Sequence, residues 1–243
     1  MMKIFNKLRF NTIRARSFRK YLLYAIGEIV LVVAGILIAL WVNNKNAQAK
    51  IKQDNLKHAQ TVLTYMDQHI QELDTVMEQY EAFEPIISKI IYTPTDEPIS
   101  NCENCNQMLF GFLFPEIDDR AAVRSDMIRS DNDSLSLLSQ KITADYNAYN
   151  KISDIYIKSA QNVLHENMNY LKDNNSWFAA FISEGECNDD CMTYFNESYD
   201  YRNRVAYFNL IVFDAYQFEL YQFRDQLKEH REYLQNIIHE IEP

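Results

Sequence analysis

Tyr21–Val42 reads YLLYAIGEIVLVVAGILIALWV, and from Leu56 to Ile91 apolar residues recur at alternating spacings of three and four. These two stretches decide the fold. The first carries one charge, Glu28, in its 22 residues. About 20 apolar residues at ~1.5 Å rise cross the ~30 Å hydrocarbon layer of a bilayer. Tyr21, Tyr24 and Trp41 stand near its ends, where amphipathic rings meet headgroups. A cleaved signal peptide, with Ala47-Gln48-Ala49 as an A-x-A site, needs only about 7–15 apolar residues, and this run is longer. It is also too long and too free of charge for the core helix of a soluble protein. The sequence therefore predicts an uncleaved transmembrane helix.

The second stretch runs through Leu56, Ala59, Leu63, Met66, Ile70, Leu73, Met77 and Tyr80, then Glu84, Ile87 and Ile91. That spacing puts one apolar seam on a helix, as in a coiled coil or a bundle face. Only Glu84, beside Pro85, breaks it. No Gly or Pro lies between Gly35 and Pro85, so the anchor is expected to continue into this helix unbroken.

Working outward, Tyr92 to Ser100 (YTPTDEPIS) reads as a loop. A short helix is expected over Arg120–Arg129. Asp131 to Ser134 carries helix-entry residues, and a long helix should follow from about Leu135 to Lys172. Asp173 to Asp200 reads as a connection. A last helix is marked by Phe213, Tyr216, Leu220, Phe223, Leu227, His230, Leu234, Ile237 and Ile241. Three long helices with facing stripes give an all-α fold, in which one N-terminal transmembrane helix continues into an antiparallel bundle. The expected organisation is a basic tail over 1–20, the span over 21–42 and a helical bundle over 43–243.

Composition agrees. Four glycines in 243 residues are about a quarter of the usual share of roughly 7%. Gly27, Gly35, Gly111 and Gly185 cannot write a phosphate loop or a dinucleotide fingerprint. Five prolines also argue against a many-stranded sandwich or barrel.

Charge is unevenly divided. Residues 1–20 hold seven bases and no acid, and the body keeps 17 of the 24 bases and 33 of the 34 acids, a net of −16. Such a body repels nucleic acid and anionic headgroups. Within 15 residues of the span, six Lys or Arg precede it and four follow. The positive-inside rule thus puts the N-terminus in the cytoplasm. Four cysteines in two close pairs suit an oxidising compartment and point to the same orientation.

The block FRKYLLYAIGEIVLVVAGILIALWVNN, Phe18 to Asn44, resembles the opening signature of an uncharacterised family of single-pass membrane proteins from Bacteroidota. The shared pattern is a basic lead, a Tyr-x-x-Tyr-Ala-Ile-Gly-Glu core and an Asn-Asn exit. That family usually continues with Trp-Asn-Glu, and Lys45-Asn46-Ala47 departs from this. Ser130 to Tyr146 (SDNDSLSLLSQKITADY) is similar to the family's loop and helix ending in tyrosine. The likeness covers the N-terminal quarter well and the rest loosely. It implies a Gram-negative inner-membrane anchor with a helical periplasmic body, and no activity.

Cys102-x2-Cys105 and Cys187-x3-Cys191 read as two local disulfides, with cross-pair disulfides or a zinc or redox site as alternatives. If consecutive long helices run in opposite directions, ~60 Å of helix separates the pairs, which argues against a shared metal. None of His58, His69, His165, His230 and His239 follows a Glu by three, as di-iron bundles require. His230, on an apolar stripe, reads as a hydrogen-bonded core histidine. Asp131-x-Asp133 fails as a calcium loop, with Ser136 at the sixth position and Ile142 at the twelfth. Met108 to Phe114 is read as a loop plugging the end of the bundle, and alternatively as an insertion patch. The 16 tyrosines read as core with hydroxyls at the rim.

No catalytic, cofactor or metal set is identified. Gly27, Leu31, Gly35 and Ala39 recur every four residues on the anchor, with Glu28 beside them about 10 Å inside its N-terminal end. A carboxyl at that depth snorkels or finds a partner. The expectation is a scaffold or adaptor working through protein contacts with a second copy or another membrane protein. The alternative is a ligand-sensing bundle that signals through a separate membrane partner.

Overall fold

A computed structural model of the chain describes residues 17–94, 96–99, 105, 108, 112–129 and 133–241. Every regular element among the described residues is helical: α1 (Ser17–Tyr92), α2 (Arg120–Asp126), α3 (Asp133–Asn174), α4 (Phe178–Glu184), α5 (Asp189–Glu197), α6 (Tyr199–Asn209), a π-helical stretch (Leu210–Tyr216) and α7 (Gln217–Ile241). The chain divides into two compact units, Met1–Asp54 and Asn55–Pro243.

In the first unit the side chains from Tyr21 onward are exposed, save the half-buried Ala25 and Ala34. The apolar stretch of α1 is long and apolar enough to cross a membrane. As expected, α1 passes Pro85 and ends only at Tyr92.

In the second unit the apolar stripe of α1 is wider than the expected seam, and its centre is displaced. The buried line is Ala59, Val62, Met66, His69, Leu73, Val76, Met77, Tyr80, Ile87 and Ile90, with the half-buried Phe83 between Tyr80 and Ile87. At Leu63, Ile70 and Ile91 the residue before takes the buried place and the expected member becomes a half-buried flank, whereas Met77 is buried together with Val76. A 3–4 spacing is satisfied equally by either neighbouring row of a stripe over 100° wide, so the partners decide its centre. Phe83 takes the place where Glu84 had broken the seam, and Glu84 is left at the edge, exposed.

The long helices do not simply alternate in direction. Asn55 hydrogen-bonds the backbone of Arg129, His69 meets Tyr146, and Ile90 shares a core with Leu171. α3 therefore runs parallel to α1. The last helix opposes both: Arg231 pairs with Asp67 and Arg224 with Asp74, while His230 pairs with Asp145 and Arg204 with Asn167.

Parallel neighbours need a long return, and the segment before α2 supplies it. Leu113 lies level with Tyr80, Asp118 with His69, and Arg120 with Tyr65. Residues 55–92 rise ~55 Å as a helix, a distance that the 27 residues of 93–119 cover with slack at ~3.3 Å each. The expectation that the second long helix opposes the first is corrected on this point.

Two core clusters fill the unit. The larger contains Leu73, Ile142, Phe208 and Leu220, and the smaller contains Ile87, Leu171, Trp177 and Phe195. The expected connection over 173–200 holds α4 and α5, which carry aromatic residues of the smaller core. The last helical run begins at Tyr199, well before the Phe213 that marked it in the sequence, and is interrupted by the π-helical stretch.

Candidate functional site

Gly27, Glu28, Gly35 and Ala39 all lie exposed on α1. A methyl group added at Gly27 or Gly35 would meet no atom within 4 Å. Close packing inside this chain therefore does not demand glycine at either position.

The bundle interior contains a row of polar side chains that bind one another across helices. Ser125 and Ser139 join α2 to α3. The buried His69 ring shares a 2.8 Å hydrogen bond with the Tyr146 hydroxyl, and its Nε2 lies 3.6 Å from Asp118 Oδ1 without a hydrogen bond. Burial holds the His69 pKa below the usual imidazole value, against the pull of Asp118. Arg120 hydrogen-bonds Asp118 and holds that carboxyl below the usual carboxylate range. His230, 1% exposed, donates from Nε2 to Asp145 Oδ2 at 2.7 Å, as its place on the apolar stripe predicted. Tyr216 meets Ser153 at 2.9 Å and Tyr149 at 3.3 Å. Burial pushes the Tyr80, Tyr146, Tyr149 and Tyr201 hydroxyls far above the ordinary phenol value, so they serve as neutral hydrogen-bonding groups. Chemically, the row fixes helix register: each pair has one productive alignment.

The cysteines converge on the other core. Cys187 and Cys191 form a disulfide with Cα atoms 5.2 Å apart. α4 ends at Gly185, whose φ of 73° reverses the chain into the disulfide loop, and Asn188 caps α5 by accepting from the Cys191 N–H. Cys105 is also disulfide-bonded and sits in the same small core as Cys191. Its carbonyl accepts from the buried Tyr201 hydroxyl. Cys102 lies outside the described residues. Cys105 and the Cys187–Cys191 disulfide therefore come to one end of the bundle, contrary to the ~60 Å separation expected. They meet there because α1 and α3 run parallel, and the 187–191 disulfide removes two of the four thiolates that a zinc site would need.

Nearby, Arg202 is buried and donates to the carbonyls of Thr93, Pro94 and Glu97, fastening the segment after α1. Of the Met108–Phe114 patch, Met108 is buried in the smaller core with Cys105. Phe112 contacts Tyr80, Phe83, Phe208 and Phe213 and bridges the two cores along the side of the bundle. Phe114 meets Tyr216. Leu109 to Gly111, like Asp131 and Asn132, lie outside the described residues.

One open groove adjoins this aromatic centre. Residues 84–92 of α1 form one wall and residues 209–221 the other, enclosing about 460 Å3. Among the described residues Glu84 and Asp214 are its only charged lining residues, while Tyr92, Phe213, Phe218 and Tyr221 supply aromatic surface. Sequence reasoning missed this groove. Its one signal was the break at Glu84, since a carboxylate at the edge of an apolar stripe marks where the stripe meets water.

No family model matches the chain, and neither a curated protein nor a solved structure shows significant similarity to it.

Proposed function

We propose that the protein is an inner-membrane-anchored scaffold or adaptor. Its N-terminus is cytoplasmic, its body periplasmic, and it acts through protein–protein contacts and not by chemistry on a substrate. The observation that carries this reading is the disposition of polar and apolar groups. His69, His230, Tyr146, Tyr149 and Tyr216 are engaged between helices, whereas apolar and aromatic side chains stand exposed along the anchor and beside the groove. The basic lead, the paired cysteines and the likeness to a Bacteroidota family of single-pass proteins support the topology.

Within the bilayer, the stripe of Gly27, Gly35 and Ala39 with Glu28 beside it is the contact face for a second copy or another membrane protein. Small residues let backbones approach closely, and a carboxyl among apolar side chains gains most from a hydrogen-bonding partner. Affinity purification of the solubilised full chain, followed by mass spectrometry, tests the reading. Stoichiometric protein partners that are lost from the Glu28→Ala and Gly35→Leu variants are expected. A chain purifying alone, with a small molecule bound, would contradict it.

A further inference from the structure

Three features of the groove ask for an occupant. One wall departs from regular α-helix, since it contains the π-helical stretch Leu210–Tyr216. π-helical insertions are rare and recur at functional sites. Here the stretch contributes Phe213 and Asp214 to the lining. The apolar side chains are only partly covered, with Tyr92 79% and Phe218 57% exposed. Among the described residues the lining charge is of one sign, since Glu84 and Asp214 line the groove and no Lys or Arg does. Arg224 stands beside the lining residue Tyr221. It lies 5.0 Å from the Tyr221 ring and is held by Asp225 at 2.8 Å and Asp74 at 3.4 Å.

We propose that this groove receives a Lys or Arg side chain of a partner protein. Two carboxylates among aromatic faces attract a cation both by charge and by the ring quadrupoles, and the attraction strengthens as the groove is desolvated. The Arg224 guanidinium over Tyr221 shows that contact type already in use at one end of the groove. The wider body, at −16, steers a basic partner toward it. This assignment rests on the adaptor reading and names the chemistry of the partner.

The test uses the full chain in zwitterionic nanodiscs, titrated calorimetrically with acetyl-(Lys-Ala)4-amide and with its Gln counterpart. Saturable one-to-one binding of the Lys peptide alone is expected. Glu84→Gln with Asp214→Asn should weaken it at least tenfold. Glu166→Gln with Glu232→Gln removes the same charge from exposed positions outside the groove and should weaken it less than twofold. Phe218→Ala should cost several-fold; if that variant unfolds, the two charge pairs still decide. Equal losses in both charge pairs would overturn the proposal, as would the absence of saturable binding. Groove-dependent binding of tetramethylammonium without the peptide would also overturn it, in favour of a small organic cation. A partner captured by affinity purification but protecting another surface would remove this assignment and leave the adaptor reading standing.

Discussion

The two parts of α1 are written in different hydrophobic codes. From Tyr21 to Val42 it is apolar all round, and its side chains lie exposed: Leu37 is 60% exposed. From Asn55 to Tyr92 it is apolar on one stripe, and Leu73 on that stripe is wholly buried. A helix that is apolar on all sides needs an apolar solvent, whereas a striped one needs other helices. One continuous helix thus changes surroundings without changing backbone structure.

The same substitution in both parts breaks this comparison most sharply. Leu73→Ala should destabilise the bundle by about 2–5 kcal/mol, the usual range for a buried leucine truncated in a core. Leu37→Ala should leave the bundle's denaturation midpoint unchanged. Chemical denaturation of the two variants, followed by near-ultraviolet dichroism of the aromatic core, checks both. Equal effects would mean that the two segments share one folding environment.

A smaller loss is expected where the bundle's internal polar pairs are cut. His230→Ala leaves the half-buried Asp145 without its 2.7 Å partner, and should cost roughly 2 kcal/mol. His230→Ala combined with Asp145→Ala should recover part of it. An additive double variant would show that the two side chains do not act as a pair.

Cys187→Ser with Cys191→Ser should cost about 2 kcal/mol or less. The cysteines are only four positions apart in sequence, and so short a loop constrains the unfolded chain only modestly. A larger loss in the melting of this variant would give the disulfide a role beyond the α4–α5 corner.

The smallest effect is a pH dependence carried by His69. Its folded-state pKa is lowered, chiefly by burial, with Asp118 and Glu72 pulling upward and Arg120 downward. The folded state therefore binds fewer protons than the unfolded one in this window. Stability is full above the unfolded value near 6.5 and declines as pH falls below it. His69→Phe should flatten the part of the stability–pH curve just below 6.5. An unchanged curve would assign that slope to other groups.

Much of this fold could be read from the sequence, because its strongest signals are local. The uncharged run, the 3–4 spacing after Leu56 and the apolar stripe carrying His230 each fix a helix within one stretch of chain. The direction of α3 could not be read, since it depends on where the segment before α2 lies, and nothing local in Phe112 or Asp118 states that they descend along α1. The seam was displaced by one residue at Leu63, Ile70 and Ile91 for a related reason: Leu63 and Val62 are both apolar, and only the partner helices choose between them. The π-helical stretch has no composition of its own. The groove showed only in the break at Glu84, and its second carboxylate, Asp214, is 130 residues away in the chain.

The central proposal is that one helix leaves the bilayer near Val42 and presents the body on the periplasmic side. Single-cysteine accessibility tests it most directly, using Leu37→Cys and Asn46→Cys in the full chain and a membrane-impermeant maleimide applied to intact spheroplasts. Asn46→Cys should label at once, and Leu37→Cys should label only after the membrane is dissolved. Labelling of Leu37→Cys in intact membranes, or of Asn46→Cys only after lysis, would contradict the account.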